Sequence, residues 1–353
     1  NVWRDAGRYF ELQGPFQDVA IPDSLQGSLL SRLDRLAPAT REIAQIGATI
    51  GREFDRALLS VIAGQPDELL DGSLDELIAA EAIRPVWLPA SGGKAFAFRH
   101  ALIQDAAYQS LLLARRRQFH AAIAEALVRH FTDIVTAQPE LAAQHFTSAD
   151  RVEPALEAWL RAAESAMARG AYAEAKAHVT RGLRLAQRLQ DPAVRSRCAV
   201  PFLLIRGRIE LKETRTKAQQ TVYRAATLAR QAGMAQEFAQ AAMSMCDVEQ
   251  YSYATNPMSV ELVREALDNE QCNDPVLRCR LLARIAKSLI MRGDLEQARA
   301  LSRDARAMAE RLGDAIAMSC AIGNELMISD PPAGDAIEAR RLLIRHYTRL
   351  TEE

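Results

Sequence analysis

Apolar residues recur at helical spacing along most of the chain, and the pattern breaks clearly at one place. From Asp23 or Ser24, either of which suits a helix N-cap, Leu25, Leu29, Leu33 and Leu36 share one face until Pro38 starts the next helix. Ile43, Ile46 and Ile50 continue the period, and Gly51 stops it. Phe54 to Ile62 reads as a third helix ending at Gly64, and Leu69, Leu70, Leu74, Leu77 and Ile78 mark a fourth. Before these helices, residues 1–23 hold Gly7, Gly14, Pro15 and Pro22 among isolated aromatics, an irregular or weakly stranded lead-in.

The break lies between Ile83 and His100. Ile83-Arg84-Pro85-Val86-Trp87-Leu88 leads into the turn cluster Pro89-Ala90-Ser91-Gly92-Gly93, and Phe96 and Phe98 then alternate with alanines, which predicts a β-hairpin. Helices, one hairpin, then another helix from about Ala101 to Leu113 is the element order of a winged-helix domain. The helix from about Arg115 to Phe131 leads away from it, so residues 24–132 form a winged-helix-like domain with its connecting helix.

Residues 133–353 read as helices with short Gly, Asp or Pro interruptions, and a uniform stretch of this length calls for a search for repeats. Gly170-Ala171-Tyr172-Ala173-Glu174-Ala175 recurs as Gly293-Asp294-Leu295-Glu296-Gln297-Ala298 and as Gly334-Asp335-Ala336-Ile337-Glu338-Ala339. The last two copies are 41 residues apart and the first two 123, three times that period, so two degenerate copies belong between them. Their turns are expected near Lys212 to Thr214 and near Asn256 to Pro257. Two helices approach closely only where a side chain is short, so Ala163, Ala175, Ala286 and Ala298 are the expected packing seam. The fold class is mainly α: a winged-helix-like domain with one β-hairpin, then a tetratricopeptide-like α-solenoid of helical hairpins.

Composition narrows the function. Basic and acidic side chains number 44 and 45, which argues against a dedicated nucleic-acid binder. The segment from Pro38 to Ile78 also lacks a helix rich in Arg, Lys, Asn and Gln that could read a groove. Cys198, Cys246, Cys272, Cys279 and Cys320 are scattered without CxxC or His/Cys metal spacing, as expected of reduced, packed thiols in a cytoplasmic protein. No apolar run reaches membrane-spanning length, and the start at Asn1 suggests an excised piece.

Catalytic patterns are missing. Gly93-Lys94 lacks the earlier glycine and the following Ser or Thr of a phosphate loop, and neither GxSxG nor HExxH occurs. No catalytic or metal-ligating residue is assigned, and the chain is expected not to be an enzyme. Arg115-Arg116-Arg117 reads as a solvated helix start or a partner of nearby carboxylates, and Trp87, Phe96, Phe98, Trp159 and Tyr172 read as core. His100 follows the second strand directly, where it is either a structural histidine or a ligand contact.

An ordered series of segments resembles a known family. It comprises Ile21-Pro22-Asp23-Ser24-Leu25-Gln26, Arg32-Leu33-Asp34-Arg35-Leu36, Ile46-Gly47-Ala48-Thr49-Ile50-Gly51-Arg52-Glu53-Phe54, Phe98-Arg99-His100-Ala101-Leu102-Ile103-Gln104-Asp105-Ala106-Ala107-Tyr108 and Arg116-Arg117-Gln118-Phe119-His120. The series is similar to the section after the nucleotide-binding module in bacterial STAND-type signal-transduction ATPases, where a winged helix and tetratricopeptide repeats follow an AAA-like ATPase. Trp159, Ala163, Gly170, Tyr172 and Ala175 fit the repeat pattern more loosely, and Gly182 departs from its usual alanine.

The resemblance implies a regulatory, non-catalytic fragment whose repeats take a protein partner or small-molecule inducer and whose first residues adjoin the ATPase module. ATP or ADP would belong to the parent protein and no cofactor to this chain, with His100 matching a histidine that reaches the nucleotide β-phosphate. Parents of this kind carry a class III adenylate/guanylate cyclase domain or end in a LuxR-type DNA-binding domain; the cyclase-linked form is the closer for residues 21–130. The alternative is therefore part of a LuxR-type transcription regulator. Neither a membrane nor a nucleic-acid partner is expected for the fragment itself.

Overall fold

Pro38, pre-set for a first helical position, opens α1 (Pro38–Ile50), which buries Ile43, Ala44 and Ile46 on one face. The computed structural model describes residues 2–5, 10–13, 33, 35–87, 94–249, 257–328, 341 and 345. They belong to two units, Asn1–Arg151 and Val152–Glu353. The division falls beyond the 132/133 boundary expected from sequence, because α6 (Thr132–Ala137) and α7 (Pro139–Ser148) pack on α5 (Leu113–His130) inside the first unit. Most of the helix expected over Leu25 to Leu36 lies outside the described residues, although Leu33 is helical and buried.

In the lead-in, β1 (Val2–Asp5) and β2 (Phe10–Gln13) form an antiparallel pair. After α1 the structure departs from the expected run of helices: Glu53–Asp55 is a short strand, β3, and Phe54 belongs to it instead of to the helix. The reason is local. The Asp55 carboxylate accepts from the backbone N–H groups of Ala57 at 2.6 Å and Leu58 at 3.2 Å, so the strand passes into α2 (Arg56–Ala63) through a side-chain cap.

Then follow α3 (Asp67–Ala79), β4 (Ile83–Trp87), β5 (Lys94–Phe98) and α4 (Ala101–Gln109). The antiparallel sheet has the order β3-β5-β4, so the hairpin's second strand is central. Ala95 to Phe98 are consequently all buried, overriding the alternation that an edge strand would show. Phe54 lies opposite Phe96, with ring centroids 6.0 Å apart, and 5.5 Å from Phe98. These rings join Ile43, Leu59, Leu70, Leu74 and Leu77 in one core. Trp87, expected in the core, is instead 71% exposed at the end of an edge strand.

The second unit is a stack of helix pairs, the mainly α repeat fold that the sequence predicts. Its helices are α8 (Val152–Ala168), α9 (Tyr172–Ala186), α10 (Pro192–Glu213), α11 (Arg215–Gln231), α12 (Ala235–Glu249), α13 (Pro257–Asp268), α14 (Pro275–Arg292), α15 (Leu295–Leu312) and α16 (Ala315–Ile328). First helices of successive pairs begin 40 to 43 residues apart, close to the expected period. The turn expected near Lys212 to Thr214 is a single residue, Thr214, between α10 and α11. The residues before Pro257 and the copy beginning at Gly334 lie outside the described residues.

Each first helix packs on its own partner and on the next first helix, whereas the second helices do not pack extensively on one another among the described residues. Such layering makes a face of α8, α10, α12, α14 and α16 the inner side of the stack. Ala163, Ala175, Ala286 and Ala298 are completely buried, as the packing-seam reading requires. Trp159 is buried as expected, its ring 5.3 Å from that of His178.

The departure at Gly182 has a packing cause: a Cβ there would overlap the ring of Phe202, itself 1% exposed, and one at Gly207 would come within 2.5 Å of Val222 Cγ2. Alanine usually favours a helix over glycine by about 1 kcal/mol, so the overlap reverses the expected sign. Gly182→Ala should lower the stability of the full chain by about 1–3 kcal/mol in urea denaturation. A second substitution, Phe202→Leu, should make the alanine less costly; an additive pair would show that the ring is not the obstacle.

Candidate functional site

A cavity of about 650 Å³ lies among the helices α8 to α12 of the repeats. Met167 at the end of α8 and Tyr172 at the start of α9 border it, α10 contributes Gly207, Arg208, Leu211 and Lys212, α11 Arg215 and Val222, and α12 Ser244 and Asp247. Arg208, Leu211 and Lys212 stand three or four residues apart, which places them on one face at the end of α10, and Arg215 opens α11 beyond Thr214. Gly207 matters here because its missing side chain lets Val222 close beneath that face. The volume falls within the range of small-molecule sites.

The cavity's charge is uneven. On the α12 side, the Asp247 carboxylate accepts from Arg284 Nη2 at 2.7 Å. Burial raises its pKa, opposed by the nearby Arg284 and Arg208 charges. Ser244 Oγ donates to the Gln240 carbonyl at 2.9 Å, leaving an acceptor oxygen. On the α10 side, Arg208, Lys212 and Arg215 are exposed, and among the described residues none forms a salt bridge. Tyr172, expected to be core, is 41% exposed on this cavity, since it opens its helix immediately after the turn.

His100 occupies the N-cap position of α4, with extended backbone and no side-chain cap bond. Its carbonyl accepts from the Ile103 N–H at 3.1 Å, while its imidazole is on the exposed side. It belongs to the first unit, and no other site residue was assigned from sequence. The three consecutive arginines are structural. Arg115 pairs with Glu42, Arg116 donates to the carbonyls of Gln109 and Leu111 at 2.9 Å each, and Arg117 reaches Asp150 at 3.2 Å. Arg116 also lies 4.8 Å above the Tyr108 ring.

The sequence reading missed a polar chain inside the first unit. Tyr108 Oη is 3.0 Å from His120 Nε2, and His120 Nδ1 is 2.9 Å from His145 Nδ1, tying α4, α5 and α7 together. Two facing Nδ1 atoms share one proton, so one ring donates and the other accepts; a second proton would set two N–H groups head to head. Burial, with Arg116 adding to it, lowers the pKa of His120 to about 4. Burial and then His120 lower His145 to about 4. His120 and His145 stand 25 positions apart on different helices, so no spacing rule pairs them.

Folded pKa values below the unfolded value of about 6.5 mean that the unfolded chain binds more protons between pH 6.5 and 4. The stability tied to the neutral pair is therefore full above pH 6.5 and is lost as the pH falls toward 4. Urea midpoints of the full chain should drop between pH 7 and pH 5 by at least about 1 kcal/mol of stability, and His145→Gln should flatten the slope. A midpoint constant over that range would contradict a buried neutral pair.

The cysteines are free thiols, with Cys246, Cys272 and Cys279 buried. Burial raises the Cys279 pKa to about 11, and its Sγ donates to the Ala305 carbonyl at 3.2 Å, a packed rather than reactive setting. No described helix is long and apolar enough to cross a membrane.

Comparison with known proteins gives partial overlaps. No family model matches the chain. An uncharacterised protein of Rhizobium meliloti (strain 1021) is 27% identical over 194 residues, which are 54% of this chain and 18% of that protein. A solved structure from Pyrococcus horikoshii is similar over 95% of this chain and 55% of its own, at 12% identity and a TM-score of 0.43. That protein is described as a Signal Transduction ATPase with Numerous Domains (STAND) with a tetratricopeptide repeat sensor. The chain spans less than two thirds of the length of either protein to which it is similar.

Proposed function

We propose that this chain is a cytoplasmic, non-catalytic regulatory and protein-interaction fragment of a nucleotide-switched signalling ATPase of the STAND type. Its repeats serve as the sensor or partner-binding scaffold. The observation that carries the reading is the element order of the first unit. Helix, strand, helix, helix and hairpin, with β5 between β3 and β4, is an order that supports a winged-helix reading. The ordered series of segments from Ile21 to His120 supports the same parentage.

A winged helix can also read DNA, but the first unit is poorly suited to do so. Its third helix, α3, carries Asp67, Glu68, Asp71, Asp75 and Glu76 and no basic residue, which would repel phosphates. The exposed histidine after β5 suits another role. In the parent protein, His100 would reach the β-phosphate of ADP bound in the preceding module and favour a closed state. A ligand on the repeats would then shift the population toward an open form in proportion to its differential affinity.

His100→Ala in the full-length protein should speed ADP release about tenfold, the loss of one charge-assisted contact, as followed with a fluorescent ADP. Unchanged release would remove His100 from the nucleotide site. The isolated chain should neither hydrolyse ATP nor form a cyclic nucleotide, and turnover dependent on one of its own residues would end the non-catalytic reading.

A further inference from the structure

Three cations, Arg208, Lys212 and Arg215, border the repeat cavity. Several basic side chains on helix faces of the second unit are held in ion pairs: Lys176 to Glu213 at 2.6 Å, Arg230 to Glu265 at 2.5 Å, Arg280 to Asp314 at 2.7 Å and Arg306 to Glu325 at 2.8 Å. Arg208, Lys212 and Arg215 instead border an open cavity; among the described residues none of them is in a salt bridge, and Arg208 lies near enough to Asp247 for their charges to attract. Like charges gathered at one cavity wall repel one another, a cost that a bound anion would remove.

The opposite wall has the complementary chemistry. Asp247, held by Arg284, and Ser244, whose proton is given to Gln240, present acceptor oxygens. An acceptor wall selects hydroxyl or amine donors and disfavours a second anionic group. Between the walls, Met167, Leu211 and the half-exposed Tyr172 ring offer apolar surface on which the carbon skeleton of a sugar could lie.

We propose that this cavity binds a small polyhydroxylated anion, with a phosphate or carboxylate held by Arg208, Lys212 and Arg215 and hydroxyl groups donated to Asp247 and Ser244. The inference deepens the sensor reading by assigning the ligand's chemical class. Its test concerns binding to this chain alone, so its failure would leave the ADP-release experiment to decide the parent function.

Isothermal titration calorimetry of the chain at matched ionic strength would use glucose 6-phosphate, gluconate and glucose as probes. Saturable binding of at least one anion, with none of glucose, is expected; phosphate-only or carboxylate-only binding identifies the source of the charge. The double substitution Arg208→Gln, Lys212→Gln should weaken that binding at least tenfold. The Lys212→Gln, Arg215→Gln variant, which keeps Arg208 beside Asp247, should bind as weakly. Binding by neither anion at millimolar concentration, or affinity indifferent to either pair of substitutions, would overturn the proposal.

Discussion

The second unit depends on how closely its helices approach one another. Its core is made largely of alanine, and the fully buried Ala163, Ala175, Ala286 and Ala298 mark where one helix lies against its neighbour. A methyl group contributes little buried area of its own. Its value is that larger neighbours such as Trp159, Phe202, Leu203 and Leu281 can then make dense contact from the facing helix. Gly182 extends the same rule to its limit, since Phe202 occupies the volume of a side chain that is not there. Gly207 does so with Val222, and because Gly207 also borders the cavity, the close packing and the binding surface share a residue.

Stacking by this rule has an electrostatic consequence. Successive first helices bring their inward side chains into a row, which sets Arg208 of α10, Asp247 of α12 and Arg284 of α14 near one another. Asp247 is satisfied from the α14 side, and the α10 side is left with positive charge. Neighbouring second helices are joined by ion pairs as well, as Arg230 is to Glu265.

The first unit is held by different means. Phe54, Phe96 and Phe98 meet across a three-stranded sheet, and helices on either side close over them. Beside that apolar core, a Tyr108–His120–His145 chain links three helices by shared protons and tolerates little added charge. His100, near in sequence to Tyr108, takes no part in that chain and stays exposed at the start of α4.

Local information was enough for much of the fold. Helical periodicity, the Gly and Pro stops, the hairpin and the repeat of about 41 residues are written in near neighbours, and the structure has helices and turns where those signals lie. The alanine seam was legible for the same reason, because a small residue at a repeated place restricts any packing of two helices. What the sequence could not settle concerned distant partners. Three residues, Glu53–Asp55, are too few to show a strand's period and become one only because β5 lies beside them. Trp87 and Tyr172 look like core by composition, but an edge-strand end and a helix start leave them exposed. The facing histidines, and the Asp247 that faces the cavity cations, come from helices widely separated in the chain. Such neighbours exist only after packing, and periodicity along one helix carries no information about what another helix will place against it.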